Sequence, residues 1–235
     1  MNAQKIFNLV ILDASGSMRT IYQQALTGVN ETLAAIRLAQ NGHPELRQYV
    51  ALASFSAGDR FLNRIYSAVP IDEARNITRE DYPLLGCTAL YDAMGTCISE
   101  LQPKVSHGDR VLVTIITDGF ENASRVWTGA QIKSLVGELR QMGWTFTYIG
   151  ADQDVDEVAG EMGIHNTLRF SANAEETDLM FERERRSRSR FYEHVFHDMA
   201  APGETVRERF DYFAKADEPL DLTDKTETGK KGEAE

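Results

Sequence analysis

Cysteine, an excess of basic charge and long apolar runs are all scarce in this sequence. Cys87 and Cys97 are the only cysteines. With Cys87 on a loop and Cys97 well along the following helix, a rise of ~1.5 Å per residue sets them too far apart to bridge. Two unpaired thiols suit a reducing compartment, so a cytoplasmic location is expected. The amino terminus lacks the apolar core of a secretion signal, and no unbroken apolar stretch reaches membrane-spanning length. Basic residues number 25 against 36 acidic, a net charge of −11. That sign argues against general nucleic-acid binding, which needs a basic surface to displace counterions. It suits cations or basic partners, but acidity is also a simple solubility device, and the plainer explanation is preferred.

What the chain does have is a regular alternation of strand and helix signals. Ile6-Phe7-Asn8-Leu9-Val10-Ile11-Leu12 is an almost unbroken apolar run of strand length. From Met18 to about Ala39 the apolar residues fall at helical spacing, and Gln40-Asn41-Gly42-His43-Pro44 is a stop signal. Tyr49 to Ser56 predicts a second strand. The turn Ala57-Gly58-Asp59-Arg60 then leads to a third, Phe61 to Val69, antiparallel and at a sheet edge because the link is short. Thr88 is placed to cap a helix over 89–101, with Cys87 beside it expected to pack. Asp92, in the first turn of that helix, favours its dipole. Arg110 to Thr117 reads as a central strand buried on both faces, followed by a helix over 129–142, a strand over 145–149, a helix over 154–162 and a strand over 167–170. The expected fold is α/β: a doubly wound, mostly parallel six-stranded sheet with one antiparallel edge strand and helices on both faces.

One domain is expected over residues 1–200, with its core at about 5–170 and a helical segment at 173–199. Within that segment Glu182 to Arg190 has no apolar residue. Glu182/Arg186 and Glu184/Arg188 stand in favourable i,i+4 order, which predicts a solvated helix face; a basic docking patch is the minority alternative. Residues 201–235 are polar, and the composition predicts a disordered tail.

Oxygen-bearing side chains collect at the ends of the strands. Asp13, Ser15 and Ser17 follow the first strand, Thr88 follows Gly86, and Asp118 follows the central strand. An open α/β sheet binds its ligands outside the carboxyl ends of its strands, where the first strand and its neighbour across the switch point converge. Taken singly, Ser and Asp at such turns are commonly helix caps, and Asp-Gly is a common turn. Their coincidence on the predicted strand ends reverses those odds.

In this order, Asp-x-Ser-x-Ser, Gly-x-Thr and Thr-Asp-Gly resemble the von Willebrand factor A (vWA) domain, a Rossmann-like fold, and its metal-ion-dependent adhesion site. The resemblance covers roughly Lys5 to Phe170. The runs Ile116 to Ser124 and Phe146 to Asp154 look like intracellular bacterial members. The resemblance implies that Ser15, Ser17 and Thr88 offer hydroxyls to a divalent cation, Mg²⁺ with Mn²⁺ or Ca²⁺ as alternatives. Asp13 and Asp118 would add charge through bound water. An open position would accept an Asp or Glu of a partner protein, making this a non-catalytic protein-binding module. Asp59, Asp81, Glu121 and Arg125 lie on loops expected to rim the site.

The rival is a metal-dependent hydrolase or phosphatase with Asp13 as nucleophile. Its acid/base would stand two residues on, where Ser15 cannot shuttle a proton near neutral pH. His43, His107 and His165 each precede a predicted strand, at the far end of the sheet. His194 and His197, at i,i+3, are an isolated pair. Oligomeric state leaves no signal in the sequence.

Overall fold

The first strand, β1 (Lys5–Asp13), is buried from Ile6 onward, as a strand covered on both faces must be. In the computed structural model, which describes residues 4–58, 61–151, 154–200 and 211–218, it has parallel neighbours on both sides. These are β2 (Arg47–Phe55) and β4 (Arg110–Thr117). Strands β5 (Trp144–Ala151) and β6 (Asn166–Phe170) continue in parallel beyond β4. On the other side β3 (Leu62–Pro70) pairs antiparallel with β2. The order β3-β2-β1-β4-β5-β6 is the six-stranded sheet expected, with its one antiparallel strand at the edge.

Alternate residues of each strand feed two cores. Ile6, Val10 and Leu12 pack beneath helices α1 (Tyr22–Gly42) and α5 (Ala174–Ala200). Phe7, Leu9 and Ile11 pack beneath α2 (Leu90–Leu101), α3 (Gly129–Gln141) and α4 (Val155–Glu161). Gly28 permits the contact between α1 and α5, since a β-carbon there would lie 2.1 Å from the Phe181 ring. The connection after β3 is tied to α1: Asn30 exchanges two hydrogen bonds with the backbone of Ile77, and Arg37 donates to the Ala74 carbonyl. Among the described residues no helix is long and apolar enough to cross a membrane.

Several expectations are corrected. The first helix begins as a short 3-10 turn, Gly16–Ile21, before α1 proper. Helix α2 starts at Leu90 after Ala89, so Thr88 does not cap it; a neighbouring loop supplies those acceptors instead. Cys87 is exposed rather than packed, whereas Cys97 is buried and both thiols are free.

The largest difference lies in the Arg-rich run. Helix α5 is continuous through it, and both i,i+4 pairs form. The face is not solvated throughout, because Glu184, Ser187 and Arg188 are buried, Arg188 with 0% of its surface exposed. The Arg188 guanidinium donates to Glu184 Oε1 (2.8 Å), Asn8 Oδ1 (3.0 Å) and Thr114 Oγ1 (2.8 Å). The hydroxyls of Tyr192 and Tyr212 donate to Asn8 Oδ1 and Glu184 Oε1. Asn8 and Thr114 are the polar interruptions of β1 and β4 on the α5 side, and Arg188 answers both. Burial opposes its charge, yet the adjoining Glu184 carboxylate outweighs that and keeps Arg188 protonated.

Tyr212 belongs to the 201–235 stretch. Its neighbours in 211–218 also lie against α5, where Arg183 pairs with Asp217 at 2.6 Å. The rest of that stretch, residues 201–210 and 219–235, falls outside the described residues.

Arg188→Met would leave the Glu184 carboxylate buried without its counter-charge. We expect a loss of about 3–5 kcal/mol in unfolding free energy, measured by urea denaturation. A loss under about 1 kcal/mol would show that the pair behaves like an exposed one.

Candidate metal centre

Asp13 is the last residue of β1 and is fully buried. Both its carboxylate oxygens are engaged: Oδ1 accepts from the Ser15 amide at 2.7 Å, and Oδ2 from Thr117 Oγ1 at 2.5 Å. The Tyr82 phenol, also buried, donates to the Asp13 carbonyl. The chain then turns so that the Ser15 and Ser17 hydroxyls lie 3.1 Å apart. Ser17 Oγ in turn donates to Asp118 Oδ1 at 2.6 Å. Asp118 can be reached because β4 lies beside β1 in parallel, with Leu12 opposite Ile116.

The third segment is drawn in by backbone hydrogen bonds. The Leu85 amide donates to the Ala14 carbonyl (2.8 Å), the Gly16 amide to the Gly86 carbonyl (3.1 Å) and the Ala89 amide to the Ser56 carbonyl (3.0 Å). Gly86 has φ +61°, in the left-handed region that glycine enters without strain. This sets Thr88 beside the other oxygens. A β-carbon built on Gly119 would lie 2.9 Å from Thr88 Oγ1, and 3.7 Å from both Asp13 Oδ2 and Ser17 Oγ. Thr88 is buried, and its amide donates to Asn122 Oδ1 at 3.0 Å. All five residues singled out from the sequence therefore meet at one place.

Electrostatics favours a positive charge there. Burial raises the Asp13 carboxyl to about 6, opposed by the hydrogen bonds from Thr117 and Ser15 and reinforced by the Asp118 charge. Among the described residues no group of three or more His, Cys, Asp or Glu is gathered to hold a metal. An ion at this end of the sheet would therefore depend on the hydroxyls. Such an all-oxygen donor set, with no sulfur or imidazole, fits a hard cation of the Mg²⁺, Mn²⁺ or Ca²⁺ kind.

The expected rim fares differently. Asp59 lies outside the described residues. Asp81 is consumed by its own loop: Arg75 binds it through two nitrogens at 2.7 Å, and Thr78 donates from both its amide and its hydroxyl. Glu121 accepts from the amides of Tyr91, Ala123 and Ser124 and from the Ser124 hydroxyl. It thereby supplies the α2 cap that Thr88 does not. Arg125 is exposed, with its amide held by Asp92.

Sequence reasoning missed three supports. It gives Tyr82 no role and counts Thr117 only as the end of a strand and part of a motif. Asp92 was assigned to the helix dipole, but its carboxylate clamps the amides of Arg125, Val126 and Trp127. The Trp127 ring then covers Gly95 of α2, where a β-carbon would come within 2.1 Å. The Thr88 and Asp118 loops are thus one braced unit.

No family model matches the sequence, and no curated protein matches it. Solved structures do. The VWA domain of SpRpn10 superposes with a TM-score of 0.50 at 10% identity, over 75% of this chain and 93% of that one. The chain has the vWA fold. The pilus adhesin SpaC from Lactobacillus rhamnosus GG gives a TM-score of 0.58 at 13% identity over 84% of the chain. The PilB minor pilin from Streptococcus sanguinis gives 0.53 at 16% over 83%. The chain spans 31% and 62% of those two larger proteins. Within the vWA fold, the oxygens described above stand at the carboxyl ends of β1 and β4 and on the loop that leads into α2.

With Asp13 raised by burial, its ionisation costs folded-state stability. In EDTA that contribution is absent well below the unfolded value of 3.8, where the carboxyl is protonated whether folded or not, and grows until the folded group has ionised above about pH 6. The wild type should therefore lose stability relative to Asp13→Asn by roughly 2 kcal/mol between pH 4 and 7. Parallel urea titrations of the two proteins measure this; curves that run parallel across the range would contradict it.

Proposed function

We propose that this chain is a non-catalytic protein-binding module that holds a divalent cation, Mg²⁺ in the cytoplasm, and uses it to engage an acidic side chain of a partner protein. The observation that carries it is the meeting of three hydroxyls and two carboxylates from three separate segments around Gly119. Ser15, Ser17 and Thr88 would offer direct oxygens. Asp13 and Asp118, already hydrogen-bonded to the chain, would supply negative charge from behind them. Once bound, the ion supplies an incompletely neutralised positive charge that attracts an acidic group. The vWA-fold neighbours include a pilus adhesin and a minor pilin, which is in keeping with an adhesive role.

The chain's own residues offer little to a hydrolase. Where such an enzyme would place its acid/base stands Ser15. His43 lies between Glu45 and Glu193 before β2, and His107 and His165 precede β4 and β6. All three are therefore at the amino ends of parallel strands, opposite Asp13. His194 pairs with Asp198 on α5.

Titration calorimetry with Mg²⁺ and Mn²⁺ should give saturable heat for the wild type and none for Asp13→Ala, Thr88→Ala or Gly119→Ala. The last variant places a methyl group among the oxygens without removing any of them. Generic phosphoesters should not turn over. An absence of heat with the wild type would leave a metal-free scaffold, and Mg²⁺-dependent turnover lost in Asp13→Ala would restore the hydrolase.

A further inference from the structure

The two acidic rim residues the structure describes, Asp81 and Glu121, are both consumed by internal hydrogen bonds. Apolar and basic side chains remain outside them. Six large apolar residues are left exposed among the described residues, and three sit on the two loops that carry Thr88 and Asp118: Leu85 at 51%, Phe120 at 57% and Val126 at 75% exposed. Leu85 adjoins Gly86, whose carbonyl is bonded to Gly16, and Phe120 follows Gly119, beside the hydroxyl of Thr88. Val126 and Arg125 are fixed by the Asp92 clamp at the first turn of α2. Arg19, on the 3-10 turn just past Ser17, is exposed as well. Among the described residues, the loops that carry the site thus expose apolar and basic side chains, on a chain whose net charge is −11.

We propose that the partner presents its metal-seeking Asp or Glu on a segment flanked by large apolar residues and carrying a further acidic residue: the apolar flanks lie against Leu85, Phe120 and Val126, and the second acid meets Arg125 or Arg19. The proposal rests on the cation site described above and specifies what that site selects. A single carboxylate on a metal ion would be common to every acidic protein. Selectivity has to come from the surround, and each large apolar side chain newly covered contributes about 1.5–3 kcal/mol. Large apolar side chains together with arginine are also the composition that protein interfaces favour. Ordered loops make the patch a persistent one, because the Glu121 and Asp92 carboxylates and the Trp127 ring hold both loops to α2.

The test is selection of a random-peptide display library on the full chain in Mg²⁺. The best peptides are then synthesised and their affinities measured by fluorescence polarisation. We expect the enriched peptides to carry Asp or Glu between aromatic or branched aliphatic residues. Phe120→Ser or Leu85→Ser should weaken them about tenfold, the scale of one lost apolar contact. Arg125→Glu should weaken those with a second acid, and EDTA or Asp13→Ala should abolish binding. All three rim positions are exposed, so circular dichroism should be unchanged. Peptides that need Mg²⁺ and Asp13 but show no apolar preference, or that ignore both serine variants, would overturn the rim and leave the cation site standing. Binding that survives EDTA and Asp13→Ala would overturn the cation site and the carboxylate half of the proposal with it. No enrichment above a bare surface would overturn the proposal outright.

Discussion

The parallel pairing of β1 with β4 is the constraint from which the rest follows. Leu12 stands opposite Ile116, so the two chains leave the sheet side by side and their next residues, Asp13 and Thr117-Asp118, must share one small volume. Parallel strands cannot be joined by a hairpin and need crossover connections. Here that requirement sends the chain through α1, β2, β3 and α2 before β4 begins. The last of these connections carries Thr88. Both carboxylates and the third hydroxyl are thus brought together by strand order before any side-chain preference acts.

Two carboxylates so close, one of them fully buried, are costly without compensation. The chain lowers that cost with donors: the Ser15 amide and Thr117 hydroxyl on Asp13, and the Ser17 hydroxyl on Asp118. These do not suffice, since the Asp13 carboxyl still stands at about 6. A site that remains short of positive charge after its own hydrogen bonds are made is one that a cation would stabilise. The opposite solution is adopted beneath α5, where Glu184 is matched by a guanidinium built into the chain. One buried carboxylate is matched by an ion pair within the fold; on the proposed reading, the other would be matched by a bound cation.

Much of this was legible in the sequence, because strand and helix signals depend on local periodicity and the five oxygen residues follow strand ends directly. Strand bounds differ from expectation by no more than two residues at either end. What escaped was long-range pairing. Glu121 carries a charge that a loop would ordinarily show to solvent, and only the fold reveals that the Tyr91 amide takes it up. Arg188 escaped for the same reason. A run of arginines and glutamates reads as a wet face, and its burial depends on Asn8 and Thr114, about a hundred residues apart on strands that the fold makes adjacent. Thr88 was also expected to cap α2, a role that falls instead to Glu121 from the neighbouring loop.

The acidity of the chain and the proposed preference for an acidic partner look contradictory, and distance reconciles them. Charges on exposed surface are screened over a Debye length of about 8 Å at physiological ionic strength. The net charge of −11 therefore acts weakly on a ligand already at the site, where the nearest fixed charges decide. Had Glu121 and Asp81 projected freely into that mouth, they would have repelled the carboxylate that a bound ion attracts. Their capture by Tyr91, Ser124, Arg75 and Thr78 does two things at once: it braces the loops, and it holds both carboxylates on internal donors, with the Asp81 charge balanced by Arg75. The general negative surface would still turn away acidic chains that make no contact with the rim, so that only a segment able to reach the ion and cover Phe120 and Leu85 gains enough to stay.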